Sequence, residues 1–209
     1  MNSSSFFVAP KPLSVRLWHW LTVVLIIGTI TTVLLNSTLF KARNNIAMIQ
    51  EQVQSEGGSI TAKQAKSVAH EYSDKLWMVH KYIGFGLSLL LLCRIVTEVT
   101  MSKEKKLRTR IQQAINIPVK STESQHYLWV QYGYVVFYLM LIVMAFTGLV
   151  LAFEDWQWLD AVHKPAKQIH SFLQYGFYTY AVLHIAGTIR ADLTNYGGIV
   201  SRMINGKSL

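Results

Sequence analysis

Residues 169–184 read IHSFLQYGFYTYAVLH, an aromatic-rich run with His170 near its start and His184 at its end. The two histidines are 14 positions apart. At about 3.6 residues per turn this is close to four helical turns, so both fall on one helix face about 21 Å apart. The run is only modestly hydrophobic, which suits a helix turned toward a bundle interior more than toward lipid. Three more apolar runs precede it. The first, at about 17–40, contains LTVVLIIGTITTVLL; the second, at about 76–99, contains FGLSLLLLCRIV; the third and longest covers about 127–153. Each is long enough to cross about 30 Å of hydrocarbon at about 1.5 Å per residue. Together they predict an all-α integral membrane four-helix bundle, a single domain over residues 1–209 with its last span at about 169–190.

The composition agrees with this reading. Hydrophobic residues make up 51% of the 209 and charged residues 15%, against roughly 25% charged in an average globular chain. Mean hydropathy is +0.27. The net charge of +9 invites a nucleic-acid reading, but the basic residues lie between the apolar runs rather than among aromatics on one face. No nucleic-acid partner is expected, and the charge reads as membrane topology. Lys11 and Arg16 precede the first run in the manner of a signal peptide. That run exceeds the roughly 7–15 residues of a signal h-region, however, and no small-x-small cleavage site follows it.

Orientation follows from the connecting segments. On one side lie Lys11, Arg16, Arg94, Lys103, Lys105, Lys106, Arg108, Arg110, Lys120, Arg190, Arg202 and Lys207, against Glu98, Glu104, Glu123 and Asp192. The other side carries eight basic and seven acidic residues. The positive-inside rule then puts both termini in the cytoplasm, as an even number of spans requires. The largest outer segment, 41–75, turns at SEGGS (55–59), and its second half, TAKQAKSVAHEY (61–72), has helical composition and can run on into the second span. The EDWQW stretch at 154–158 reads as an interfacial corner with indoles at headgroup level.

A single cysteine, Cys93, excludes an intramolecular disulfide, a zinc knuckle, an iron–sulfur cluster held by this chain alone and a c-type haem, which needs C-x-x-C-H. Seven histidines direct attention to imidazole chemistry. His70, His126 and His163 fall in loops or at span edges and read as solvated or capping residues. His19, His80, His170 and His184 fall within spans, where ionisable side chains are costly and mark function. His19 and His184 lie toward the inner side, His80 and His170 toward the outer side, so the four pair by depth.

Two imidazoles facing each other across a bundle interior suit a low-spin haem iron. Gly28, Gly84, Gly86, Gly176 and Gly187 lie near the ligands, where a macrocycle needs close backbone approach. Arg16, Arg94 and Arg190 on the inner side, with Lys75, Lys81, Lys164 and Lys167 on the outer, are candidates to neutralise propionates, although each also serves as a snorkelling or topology residue. A proton or metal transporter is the competing reading, but the spans hold no central carboxylate. A zinc site needs ligands converging at one depth, whereas these divide into two.

At this point the sequence resembles the bacterial cytochrome b561 family, within the four-helix dihaem cytochromes b. The likeness rests on RLWHW opening the first span, WMVHKYIGFGLSLLLLCRI in the second, TGLVLAF ending the third and IHSFLQYGFYTYAVLH in the fourth, and it covers roughly residues 10–205. The resemblance implies a multi-pass protein of the bacterial cytoplasmic (inner) membrane with two haem b groups, exchanging electrons with membrane quinone as substrate. Carried over by position, His19 and His184 ligate the inner haem iron, and His80 and His170 the outer one. Family members act alone, including as superoxide:quinone oxidoreductases, or anchor larger enzymes such as hydrogenases and formate dehydrogenases.

The chain departs from the short members in its longer outer segment 41–75 and in lacking a histidine in the body of the third span, where Tyr134 stands near that place. The outer face is also close to neutral, which makes it a weak funnel for an anionic substrate. Three functions therefore stay open. One is a free-standing quinone or superoxide oxidoreductase. The second is a cytochrome b membrane-anchor subunit with a periplasmic or membrane redox partner. The third is a haem-free transporter or structural membrane protein. No catalytic residue is assigned. Trp18, Trp20, Trp77, Tyr127 and Trp129 are candidates for a quinone site and equally for membrane-belt anchors.

Overall fold

The computed structural model describes residues 12–103, 106–116, 122–194 and 197–206. The charges at Lys11, Glu104, Lys105, Lys120 and Lys207, and the side chain of Glu123, lie outside the described residues. The described chain is all-helical: α1 (Leu13–Ser37), α2 (Ala42–Ser55), α3 (Ala62–Thr100), α4 (Leu107–Ile115), α5 (Thr122–Ala152), a 3-10 turn (Gln157–Leu159), α6 (Asp160–Leu193) and α7 (Ile199–Ile204). Three of these helices, α1, α3 and α5, are long and apolar enough to cross a membrane. The polar and apolar faces of α1 show why. Its buried residues are Thr22, Thr32 and Asn36, while Leu17, Leu21, Val24, Ile27 and Leu34 form an exposed stripe at helical spacing. Polar side chains inward and apolar side chains outward is the arrangement that lipid favours and water does not.

The chain divides into two compact units. One runs to Leu21 and resumes at Leu89; the other is Thr22–Ser88. Within the second, the later part of α1 runs antiparallel to the earlier part of α3. Leu25 meets Gly86, Ile83 meets Gly28, Thr32 meets His80 and Asn36 meets Ser73. A β-carbon on Gly28 would stand 3.2 Å from Ile83, so this glycine sets how closely the helices approach. The Asn36–Ser73 contact is reciprocal: the serine hydroxyl donates to Asn36 Oδ1 at 2.8 Å, and Asn36 Nδ2 donates to the Ser73 carbonyl at 3.3 Å.

The 41–75 segment folds as a helix, a turn and the start of α3. Gly57 takes a left-handed φ of 78° at the turn, the conformation glycine adopts without steric cost. A capping box then opens α3. The Gln64 amide donates to Thr61 Oγ1 at 3.2 Å, and the Thr61 amide donates to Gln64 Oε1 at 2.9 Å. Two otherwise orphaned helix-end donors are thereby satisfied. From this cap α3 continues without a break for 39 residues, so TAKQAKSVAHEY joins the second apolar run as a single helix.

In the first unit, α5 and α6 pack antiparallel. Phe137 lies 6.1 Å from Phe177 and 5.2 Å from Tyr180 between ring centroids, Met140 touches Gly176, and Gly148 touches His170. The N-terminal turn of α1 is fastened to the C-terminal segment: Arg16 donates to the Ile204 carbonyl at 2.9 Å, and Trp20 Nε1 to the Met203 carbonyl at 3.0 Å. Gly206 has φ 82°, and a β-carbon there would lie 3.0 Å from the Arg16 guanidinium. α6 begins at Asp160, well before the apolar run, so His163 is helical rather than in a loop. His70 and His126 likewise lie within α3 and α5. At the EDWQW corner, Trp156 stacks on Phe153 at 4.8 Å and lies 5.6 Å from Trp158.

Candidate haem site

His19 lies in the second turn of α1 and His184 in the later half of α6. Their ring centroids lie 6.2 Å apart, with the ring planes tilted at 59°. That spacing has a specific meaning. Two imidazoles bound to one metal from opposite sides, with nitrogens about 2 Å from it and ring centres about 1.2 Å farther back, have centroids about 6.4 Å apart. A direct hydrogen bond between the rings, at about 3 Å, would draw the centroids in to about 5 Å. The observed 6.2 Å is wider than a direct hydrogen bond between the rings would give. The pair is held by rings: Tyr180 lies parallel to His184, 5.9 Å away at 8°, and the edge of Trp20 meets His19 at 5.4 Å.

His80 belongs to the Thr22–Ser88 unit and His170 to the other. Each is fixed within its own unit by a buried threonine. Thr32 Oγ1 is 2.8 Å from His80 Nδ1, and Thr147 Oγ1 is 3.0 Å from His170 Nδ1. Thr147 is followed by Gly148, whose β-carbon, if present, would lie 3.2 Å from His170 Cε1. A larger residue would push the ring aside.

The glycines divide by role. Gly28, Gly86 and Gly176 face apolar side chains of neighbouring helices, and so serve packing. Gly84, four residues after His80, and Gly187, three after His184, have no atom within 4 Å of where a β-carbon would stand. Both are on the side of the helix that carries the histidine. A flat macrocycle beside a ligand needs that room, and the imidazoles of α1, α3 and α6 are donors of the kind that low-spin haem iron takes in pairs. Among the described residues, no three His, Cys, Asp or Glu side chains converge as a metal cage.

Of the candidate propionate partners, Arg94 is the most built-in. Its Nε donates to Tyr138 Oη at 3.0 Å, its guanidinium stands 5.9 Å from the Trp18 ring centroid, and Nη2 is 3.5 Å from Glu98. Trp18, next to His19, donates Nε1 to the Leu90 carbonyl at 3.1 Å. Arg16 is engaged with the C-terminal segment, as described. Tyr134, in the third apolar run, carries the Arg110 guanidinium 6.0 Å from its ring centroid. Sequence reasoning missed Thr32, Thr147, Gly148 and Tyr180. The signal lay in the threonines themselves, polar residues placed in apolar runs, with Thr147-Gly148 at the head of TGLVLAF.

Long apolar helices with polar inner faces and a close pair of imidazoles define a class, the membrane proteins with histidine chemistry at their core. The family comparison narrows it: the prokaryotic cytochrome b561 model matches residues 12–206, and the chain belongs to that family. It is thus a membrane b-type cytochrome of electron transfer that binds haem b. No curated protein and no solved structure matches the chain.

Proposed function

We propose that this cytochrome carries two haem b groups and moves electrons across the bacterial inner membrane between an outer-side donor or acceptor and the quinone pool. The observation that supports it most is the 6.2 Å separation of the His19 and His184 rings. In this reading these two side chains hold the inner haem, and His80 and His170, at the outer depth, hold the second. Helix α6 is the fourth span, and both termini are cytoplasmic, as the excess of basic residues on that side requires.

Bis-histidine haem supplies one-electron transfer between ferric and ferrous iron with little rearrangement. The chain's own part is to orient the ligands, exclude water and set the local charge. Trp20 and Tyr180 hold the inner imidazoles by ring contact. Arg94, packed by Trp18 and Tyr138, keeps a positive charge near the inner pair and favours the reduced state there.

The test is a pyridine haemochrome spectrum of the purified protein, with haem counted per chain. Two haems b per chain are expected, together with reduction by a quinol or reoxidation by a quinone analogue. One haem, or none in a folded sample, would overturn the four-ligand assignment.

A further inference from the structure

Thr32 and Thr147 lie in different helices and different units, yet they make the same contact with the same ring atom. A hydroxyl has a single proton, and each of these has a backbone carbonyl of its own helix to receive it. Thr32 Oγ1 donates to the Thr29 carbonyl at 2.7 Å. Thr147 Oγ1 donates to the Val143 carbonyl at 2.7 Å, with that of Met144 at 3.1 Å. Backbone carbonyls can only accept, so toward the histidine each threonine offers a lone pair. The nitrogen facing it is then the one that carries the hydrogen, and at His80 the Thr29 backbone offers a second acceptor to the ring. That arrangement assigns the hydrogen of His80 and of His170 to Nδ1 and leaves Nε2 as the lone-pair nitrogen in each.

We infer that Thr32 and Thr147 are positioning residues that select the metal-binding nitrogen of His80 and His170 and raise its basicity. Gly148 supports the same orientation from a second direction. The would-be β-carbon lies 3.2 Å from Cε1 and 3.7 Å from Nδ1 of His170, so the Nδ1–Cε1 edge of the ring is turned to α5 and Nε2 is turned away from it. An Nδ1–H that donates to an oxygen pushes electron density onto the ring and strengthens its bond to ferric iron. Among the described residues, His19 and His184 are held by ring contacts instead. The two ligand pairs thus differ in kind, and the hydroxyl-supported pair is the one held at lower potential.

This inference rests on the proposed haem ligation, and the experiment separates the two. Wild-type protein in detergent is first counted for haem; fewer than two per chain would overturn the ligation and this inference with it. Thr32→Val and Thr147→Val, which keep shape and remove the acceptor, are then compared with Thr32→Ser and Thr147→Ser. Each is measured by redox titration and by low-temperature electron paramagnetic resonance. The expected result is an upward shift of one of the two titrating components and a change in one low-spin signal in the valine variants. The other component should stay in place, and serine should restore the wild-type pattern. Two haems with unaltered potentials and signals in both valine variants would overturn the inference while leaving the ligation standing. Equal loss of one haem in the valine and serine variants would also overturn it, because it would assign the threonines to packing.

Discussion

Glu98, near the end of α3, accepts the backbone N–H of Leu107, the first residue of α4. One helical turn earlier on α3, the Arg94 guanidinium stands 3.5 Å from the same carboxylate. A side chain of one helix thus caps the next, and a negative charge sits at the positive end of the α4 dipole. Glu98→Ala should cost about 1 kcal/mol of local stability, as loss of a cap does. Hydrogen exchange should register this as faster exchange of the first α4 amides, with α5 and α6 unaffected. Uniform exchange across the chain would show that the cap has no local role.

The ring pair predicts an asymmetry among histidine variants. His19→Ala and His184→Ala should each remove the inner haem and leave the outer one, halving the haem per chain, and the double variant should lose no more than either alone. His80→Ala and His170→Ala should remove the other. If any of the four retained a full complement and unchanged spectra, its ligand role would fall.

A β-carbon at Gly148 would press on the His170 ring at 3.2 Å. Gly148→Val should displace the His170 ring at a cost of about 1–3 kcal/mol, the usual penalty of overpacking. It should also deplete the haem that depends on His170 while the His19–His184 haem persists. Gly84→Ala, where a β-carbon meets no protein atom, separates steric crowding by protein from crowding of a cofactor. It should leave thermal stability of the haem-free protein unchanged while lowering haem retention.

Asn36 and Ser73 exchange two hydrogen bonds between helices. Interhelical polar contacts within membranes are worth about 0.6–2 kcal/mol. Asn36→Ala should lower the melting temperature in detergent by a few degrees, and Ser73→Ala combined with it should add little, since both remove the same contact. Full additivity of the two would mean that they act independently.

Much of the architecture was legible in the sequence because lipid imposes a simple rule on composition. The apolar runs at 17–40, 76–99 and 127–153 correspond to α1, α3 and α5, offset where capping rather than hydropathy ends a helix. The Thr61–Gln64 box starts α3 well ahead of its apolar part, and α6 starts at Asp160 ahead of the fourth run. The approach of His19 to His184 agrees with the depths at which the two residues stand in the first and fourth runs. What could not be read was the direction in which polar residues inside those runs point. Thr29, Thr31 and Thr32 stand in one run, and only the register of α1 against α3 makes Thr32 the one whose hydroxyl meets His80. The glycines were similarly indistinguishable in sequence: Gly176 packs on Met140 and Gly187 does not pack on protein at all, a difference set by neighbours rather than by the residue.

The double contact of α1 with α3 also fixes a phase. Ser73 and His80 are seven residues apart, two turns of helix, and they meet Asn36 and Thr32, which are four apart. One residue inserted between Ser73 and His80 would rotate one contact by about 100° relative to the other, so that both could not be kept. Chain added ahead of the Thr61 cap rotates neither. A change of length on the α2 side of that cap thus leaves both contacts in phase, while the spacing from Ser73 to His80 cannot change without breaking one of them.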